Sequence, residues 1–260
     1  MASSPWFTKL RSLDQWRFRH DPLLRGSMSS ASVVIGAASY VRDVLADVPL
    51  RRFEVMNELG VDEVPPTPRR ASRAPGQLKA LFVGRLIRSK GVRDAIRAWG
   101  ALAGLAHVTL DVVGDGEDRP ACEAEAQRLG VAGRVRFHGW MPRTEVNRLY
   151  SEADVFIFPS FREPTGGVII EAMSYGLPVV TADYGGPAEL VDADSGFRVP
   201  PIDPEQYARA LAEAVSALAS DPQRREAQGH AARRRVETQF LWSTKVTWLE
   251  GLYGELLEAS

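Results

Sequence analysis

Residues Phe158 to Pro178 read FPSFREPTGGVIIEAMSYGLP. An apolar run ends at Phe158, a polar irregular stretch follows, and GVIIEAMSYG then has the spacing of a helix. Two glutamates, Glu163 and Glu171, stand in this segment with seven residues between them, and Gly166 and Gly167 lie where loop becomes helix. The first backbone N–H groups of a helix have no partner inside it and can hold phosphate. Carboxylates accept hydrogen bonds from sugar or ribose hydroxyls. Such a junction suits an anionic, hydroxyl-rich ligand. A glutamate near a helix start also suits the helix dipole without any ligand, and that reading stands beside the first.

From Gly76 onward, short apolar runs alternate with helical patterns on both sides of this segment. LKALFVG, VTLDVVG, RVRFHG, DVFIFPS, LPVVTAD and GFRVP read as strands. GVRDAIRAWGALA, EDRPACEAEAQRLG, RTEVNRLYSEA, GVIIEAMSYG, GPAELV and PEQYARALAEAVSALAS read as helices. The alternation predicts an α/β fold, a Rossmann-like parallel sheet with helices on both faces and right-handed crossovers. Ligands of such sheets lie beyond the carboxyl ends of the strands. Gly84, Gly114, Gly139, Ser160 and Asp183 fall at those ends, so the motifs converge on one rim.

Bulk composition narrows the class. The chain has 260 residues, 45% of them hydrophobic, as expected of a globular protein. Lys and Arg total 32 and Asp and Glu 33, a net charge of −1, which gives no reason to expect nucleic acid. One cysteine, Cys122, cannot form an internal disulfide, and a reducing compartment is the simplest reading. No apolar run approaches the roughly 20 residues of a membrane-spanning helix, and the N-terminus lacks a signal-peptide core. A cytoplasmic protein is the expectation. There is no His or Cys cluster at metal spacing and no defensible Ser-His-Asp arrangement.

The segment around Glu163 and Glu171 resembles the donor-site signature of retaining family 4 (group 1) glycosyltransferases of the GT-B fold. Those enzymes carry Glu-x7-Glu followed by a run like EAMSYGLPVV. The likeness extends to FVGRLIRSKG (Phe82 to Gly91), VVGDGED (Val112 to Asp118) and RFHGWMPRTEV (Arg136 to Val146). It continues through TADYGGPAELV (Thr181 to Val191) and SGFRVPPIDPE (Ser195 to Glu205), and covers about residues 78 to 250 in the family's order. The resemblance implies a hexosyltransferase that takes a nucleotide-sugar donor, retains anomeric configuration and works without a metal. The acceptor would be a glycan, a lipid or a small molecule.

The same resemblance distributes roles. Glu163 would contact the donor sugar, and Arg85 and Lys90 would neutralise the diphosphate leaving group; these form the catalytic set. Glu171 would grip the ribose hydroxyls. Gly84, Thr165, Gly166, Gly167 and Val168 would line the sugar and phosphate pocket, and His138, Trp140 and Met141 the base pocket. This chain reads EPTGG where many members have Glu-Gly-Phe-Gly, so Pro164 and Thr165 alter the pocket floor. By composition alone, Arg85, Arg88 and Lys90 could be a solvated basic loop, and Arg88 is read as surface. A lone His such as His138 is more often a packing or turn contact than an acid or base.

Residues before Gly76 read differently. Ser32 to Ala37 suits a strand, Ser39 to Ala46 a short helix, and Arg52 to Met56 another strand, while VPPTPRRASRAPG reads as a linker. The expected division is residues 1–62 as a remnant of an N-terminal acceptor domain, 63–76 as linker, 77–238 as the donor-binding domain, and 239–260 as a C-terminal crossover helix. A truncated product, a split enzyme and a stand-alone module all fit. Too few strands precede Gly76 for a second complete sheet, so a partner chain carrying an acceptor domain, or self-association, is expected. Near the end, Trp242, Val246, Leu249 and Tyr253 follow helical spacing and read as core packing. At the N-terminus Arg11, Arg17, Arg19 and Arg25 accompany Trp6, Phe7, Trp16 and Phe18. That mixture binds a membrane surface or covers an apolar core, and a peripheral contact at the inner membrane face is one of the two readings. A non-catalytic nucleotide-sugar-binding subunit is the alternative function; an epimerase has no specific support.

Overall fold

A computed structural model describes residues 20–68, 70, 73–102 and 104–258. The basic and aromatic residues Arg11, Arg17, Arg19, Trp6, Phe7, Trp16 and Phe18 lie outside this set, whereas Arg25 donates to the carbonyl of Asp47. Two compact units are present, Met1–Glu58 with Tyr253–Ser260, and Leu59–Leu252.

In the smaller unit, helix α1 (Pro22–Ser30) starts on Asp21, whose side chain accepts from the N–H groups of Leu23 and Leu24. Strand β1 (Val34–Gly36), helix α2 (Tyr40–Val44) and strand β2 (Phe53–Val55) follow, and the two strands form a parallel pair. Their sheet has two strands only, and Ile35 and Val55 remain exposed.

The larger unit carries six parallel strands: β3 (Leu78–Val83), β4 (Val108–Val113), β5 (Val135–Gly139), β6 (Val155–Phe158), β7 (Val179–Ala182) and β8 (Gly196–Val199). Their order across the sheet is β5-β4-β3-β6-β7-β8. Numbered within this sheet alone, that is the doubly wound order in which the first strand lies at the centre and the chain reverses direction beside it. The topological switch therefore falls between β3 and β6, which pair through Ala80 with Val155 and Leu81 with Phe156. Every residue of β6 and β7 is buried, as expected of central parallel strands covered on both faces. Phe82, Phe156 and Phe158 stack at 5.7 and 6.1 Å between centroids.

Helices pack on this sheet by their apolar spacing. These are α3 (Val92–Ala101), α4 (Arg119–Arg128), α5 (Arg143–Glu152), α6 (Gly167–Ser174), α7 (Gly185–Leu190) and α8 (Pro204–Ser220). Helix α8 shows the local logic clearly. Pro204 stands at its first position, Asp203 accepts from the N–H groups of Glu205 and Gln206, and Tyr207, Leu211, Val215 and Leu218 form its buried face. Trp99 of α3 is fully buried and its indole N–H donates to the Val108 carbonyl at 3.1 Å.

Helix α9 (Pro222–Arg235) has no counterpart in the sequence expectation. Its sequence PQRREAQGHAARRR has almost no apolar stripe, and its buried positions are Arg225, Gln228, Gly229 and Ala232. Apolar periodicity cannot find a helix whose inner face is polar or small. A second difference concerns α10 (Trp242–Glu258). The spacing of Trp242, Val246, Leu249 and Tyr253 is helical as expected, but these are not core residues: Trp242, Val246 and Tyr253 are exposed and Leu249 is half-buried. Lys245 and Leu252 are the buried positions instead. Period marks the face of a helix but not what lies against it.

Cys122 of α4 is fully buried, and desolvation pushes its thiol up to about 12. A disulfide-exchange reagent at pH 8 should therefore label the native protein far more slowly than the urea-unfolded chain, because the thiolate is the nucleophile. Equal labelling rates would contradict this burial.

Candidate active site

Two loops cover the crevice at the switch point. One leaves β3 as Gly84–Gly91 and includes a single 3₁₀ turn, Arg88–Lys90. The other leaves β6 and runs to α6. The Ser89 carbonyl joins them, accepting from Ser160 Oγ at 3.1 Å and from the Phe161 N–H at 3.2 Å. Gly91 has φ +74°, and a Cβ there would stand 2.0 Å from the Pro159 carbonyl oxygen. Only glycine satisfies both the left-handed backbone and the close approach.

Lys90 and Glu163, one from each loop, form an ion pair. The Lys90 ammonium also lies 5.5 Å from the centre of the Phe158 ring. The second oxygen of Glu163 accepts from the Gly166 N–H at 3.3 Å, so this carboxylate also stands at the head of α6. The ligand reading and the dipole reading of Glu163 thus coexist in one geometry. Gly166 itself has φ +76°, which turns the chain into α6. Ile169 donates back to the Gly166 carbonyl, while among the described residues no backbone acceptor takes the N–H of Gly167 or Val168. Thr165 is half-buried beside them.

Arg85 is exposed, and among the described residues no carboxylate lies within ion-pair distance of it. Arg88 differs from the expectation of a surface residue. It is half-buried, pairs bidentately with buried Asp94 at 2.5 and 3.1 Å, and lies over the Phe161 ring at 5.2 Å. A guanidinium held by a buried carboxylate is part of the fold. Gly84 closes the end of β3, donating to the Val113 carbonyl.

Glu171 lies one turn into α6. Its Oε1 accepts from Arg143 at 2.9 Å and its Oε2 from the hydroxyl of buried Tyr150 at 3.4 Å. Burial, with the Glu171 charge beside it, holds the Tyr150 phenol well above its ordinary value, so Tyr150 keeps its proton and donates it to Glu171. Arg143 was not among the candidates from sequence, where it read only as the start of a helix. It follows Trp140, Met141 and Pro142, and this puts the segment after β5 beside Glu171. Trp140 is 78% exposed, a large aromatic face open at the rim, while Met141 packs against the core. Tyr184, after β7, is similarly exposed and was also missed. His138 is engaged within the sheet: its Nε2 meets Asp111 Oδ1 at 2.6 Å, and Lys79 pairs with the other oxygen of Asp111 at 3.4 Å. Among the described residues no group of three His, Cys, Asp or Glu side chains is placed to hold a metal ion.

Residues 66–235 match the family model for glycosyl transferases group 1, and the chain belongs to that family. Glycogen synthase from Mycobacterium tuberculosis is 33% identical over 202 residues, 76% of this chain and 47% of that protein. The chain thus spans about half the length of the curated relatives it matches. Among solved structures, sucrose-phosphate synthase from Thermosynechococcus elongatus superposes with a TM-score of 0.72 at 27% identity, covering 91% of this chain and 61% of that one. HepE from Anabaena, in complex with UDP-glucose, superposes at 0.70 with 23% identity over 96% of this chain and 69% of that one. These neighbours are GT-B glycosyltransferases, and the six-stranded parallel sheet is of their kind.

Two substitutions separate fold from site. Gly91→Ala should cost more than about 2 kcal/mol, combining backbone strain with the Pro159 clash. Gly130→Ala, at φ +68° with no atom within 4 Å of the added Cβ, should cost only about 1 kcal/mol. Arg88→Gln should destabilise by about 1–2 kcal/mol through loss of its charged hydrogen bonds, whereas Arg85→Gln should lie within about 0.5 kcal/mol of wild type. Urea unfolding curves of the four variants decide the matter; equal costs for the two glycines, or for the two arginines, would contradict the geometry.

Proposed function

We propose that this chain is the donor-binding portion of a retaining hexosyltransferase that takes a nucleotide-sugar. The observation that carries the reading is the juxtaposition at the switch point: the Lys90–Glu163 pair, and the N–H groups of Gly167 and Val168 at the head of α6, which have no acceptor among the described residues. Arg85, open to solvent in the loop after β3, adds a cation with no carboxylate partner among the described residues. Family membership and the UDP-glucose bound to the Anabaena neighbour support the same ligand class.

In this reading the donor diphosphate meets Arg85, Lys90 and the α6 amides. Fixed positive charge placed where negative charge develops lowers the barrier to leaving-group departure. Glu163 accepts from a hydroxyl of the sugar once Lys90 turns toward phosphate. Glu171 exchanges Arg143 for the ribose hydroxyls, and Trp140 and Met141 border the base. The bond from the anomeric carbon to phosphate oxygen breaks, and a bond to the acceptor oxygen forms on the same face. The acceptor proton passes to the departing phosphate. No metal is assigned a part, and no side chain acts as nucleophile.

Positioning an acceptor against the donor can supply several kcal/mol of barrier reduction. The smaller unit offers a two-stranded sheet with Ile35 and Val55 exposed. This favours a second reading, in which the chain binds the donor and a partner chain or a second copy presents the acceptor, be it glycan, lipid or small molecule. No helix among the described residues is long and apolar enough to cross a membrane.

Calorimetry should show UDP or another nucleoside diphosphate binding more tightly than its monophosphate. Arg85→Gln should weaken the diphosphate by about 1–3 kcal/mol, and Glu171→Ala should weaken it by a similar amount. Glu163→Ala should spare the free nucleotide and blunt discrimination among sugars. Absence of diphosphate binding at millimolar ligand by folded protein would sink the donor reading. Where transfer is reconstituted with an acceptor partner it should persist in EDTA, and loss of transfer there would refute the metal-free part. A monodisperse monomer turning over at an ordinary rate, about 1–10³ per second, would overturn partner dependence.

A further inference from the structure

A cavity of about 500 Å³ opens at the amino ends of β6 and β7, at the opposite end of the sheet from Lys90 and Glu163. Helix α6 runs between the two places, with its head at the donor rim and the residues that follow its last turn, Tyr175 and Gly176, lining this cavity. Arg70, Arg73, Arg225, Arg233 and His230 bring basic groups to its wall, and Asp154 and Glu226 bring carboxylates.

The charges are unevenly matched. Asp154 is buried and pairs with Arg73, and also accepts from the Lys79 N–H at 2.7 Å. Arg233 pairs with Glu237 at 3.0 Å and donates to the Ser174 carbonyl. Arg70 and Arg225 have main-chain partners instead: Arg70 donates to the carbonyls of Tyr150, Tyr175 and Gly176, and Arg225 to that of Leu218. Carbonyl dipoles solvate a guanidinium but do not neutralise it. Desolvation lowers Arg70 to about 10 against the opposing charge of nearby Asp154, which is shared with Arg73, and among the described residues its buried Nε–H has no acceptor. Glu226 is largely exposed, so solvent screens it.

We propose that this cavity binds a small phosphate ester. Several guanidinium groups around one space suit a dianion with three free oxygens, since arginine meets phosphate with paired hydrogen bonds. The space exceeds a bare phosphate, and Thr67 and the exposed main chain offer partners for hydroxyl groups on the ester. The site is separate from the donor rim, so it stands whether or not the donor reading does.

The test is calorimetry on the full chain at constant ionic strength with glycerol 3-phosphate, inorganic phosphate and glycerol. The same titrations on Lys90→Gln remove a rim cation and leave the cavity intact. Glycerol 3-phosphate should bind wild type and Lys90→Gln alike, more tightly than inorganic phosphate, and glycerol should not bind. Arg233→Gln should weaken it about tenfold or more. Glu226→Gln, on an exposed side chain that solvent screens, should change it by less than about twofold. Circular dichroism confirms that each variant is folded. No binding to folded wild type, binding lost in Lys90→Gln, or an affinity unchanged by Arg233→Gln would each overturn the proposal. Equal affinity for inorganic phosphate would overturn the ester.

Discussion

The carbonyl oxygen of Ser89 holds together the two loops on which the candidate site depends. It accepts from Ser160 Oγ and from the Phe161 N–H, and so joins the exit of β3 to the exit of β6 across the switch point. These strands are neighbours in the sheet but far apart in sequence. Two rigid loops tied at one oxygen leave little freedom for the side chains they carry. Lys90 and Glu163 meet because their loops are already fixed, and Gly91 permits the closeness that the tie demands. Pairing of functional groups from adjacent strand ends is what a doubly wound sheet provides at its switch point.

Charge at the rim is distributed with a clear division of labour. Arg88 and Asp94 satisfy each other inside the fold, and His138, Asp111 and Lys79 do the same within the sheet. Arg85, the amides of Gly167 and Val168, and the exposed ring of Trp140 have no such commitments among the described residues. The Lys90–Glu163 and Arg143–Glu171 pairs lie between these extremes. Each pairs a cation with a carboxylate beside the crevice, the first mostly buried and the second with Arg143 open to solvent. Charged hydrogen bonds of this kind contribute about 1.5–3 kcal/mol, well within what a bound diphosphate can replace.

Helix α6 connects two different chemistries. Its amino end presents N–H groups and its carboxyl end presents carbonyls, and each is met by the appropriate sign. At the head the pair of Lys90 and Glu163 stands beside the Gly167 and Val168 amides, unbonded among the described residues; past the tail, Arg70 caps the carbonyls of Tyr175 and Gly176. Tyr150 adds to the packing between them, stacked on Tyr175 at 5.4 Å and donating to Glu171.

Much of this was legible in the chain itself. Alternating apolar runs and helical patterns determined six strands and most of the helices around them, because burial on two faces demands continuous apolar strands. The positions of Gly84, Gly139 and Ser160 at strand ends determined that the motifs share one rim, and Glu163 and Glu171 were visible from spacing. Tertiary structure alone decided the rest. Strand order put β3 beside β6, and hence Lys90 on Glu163. It also assigned Arg88 to the fold and Arg85 to solvent, though the two are chemically identical in sequence, since only packing brings Asp94 to one of them. Helix α9, with a polar inner face, and Arg143, whose partner lies on another helix, left no periodic trace. Periodicity reports which residues face inward, whereas the identity of a partner is a property of the folded chain.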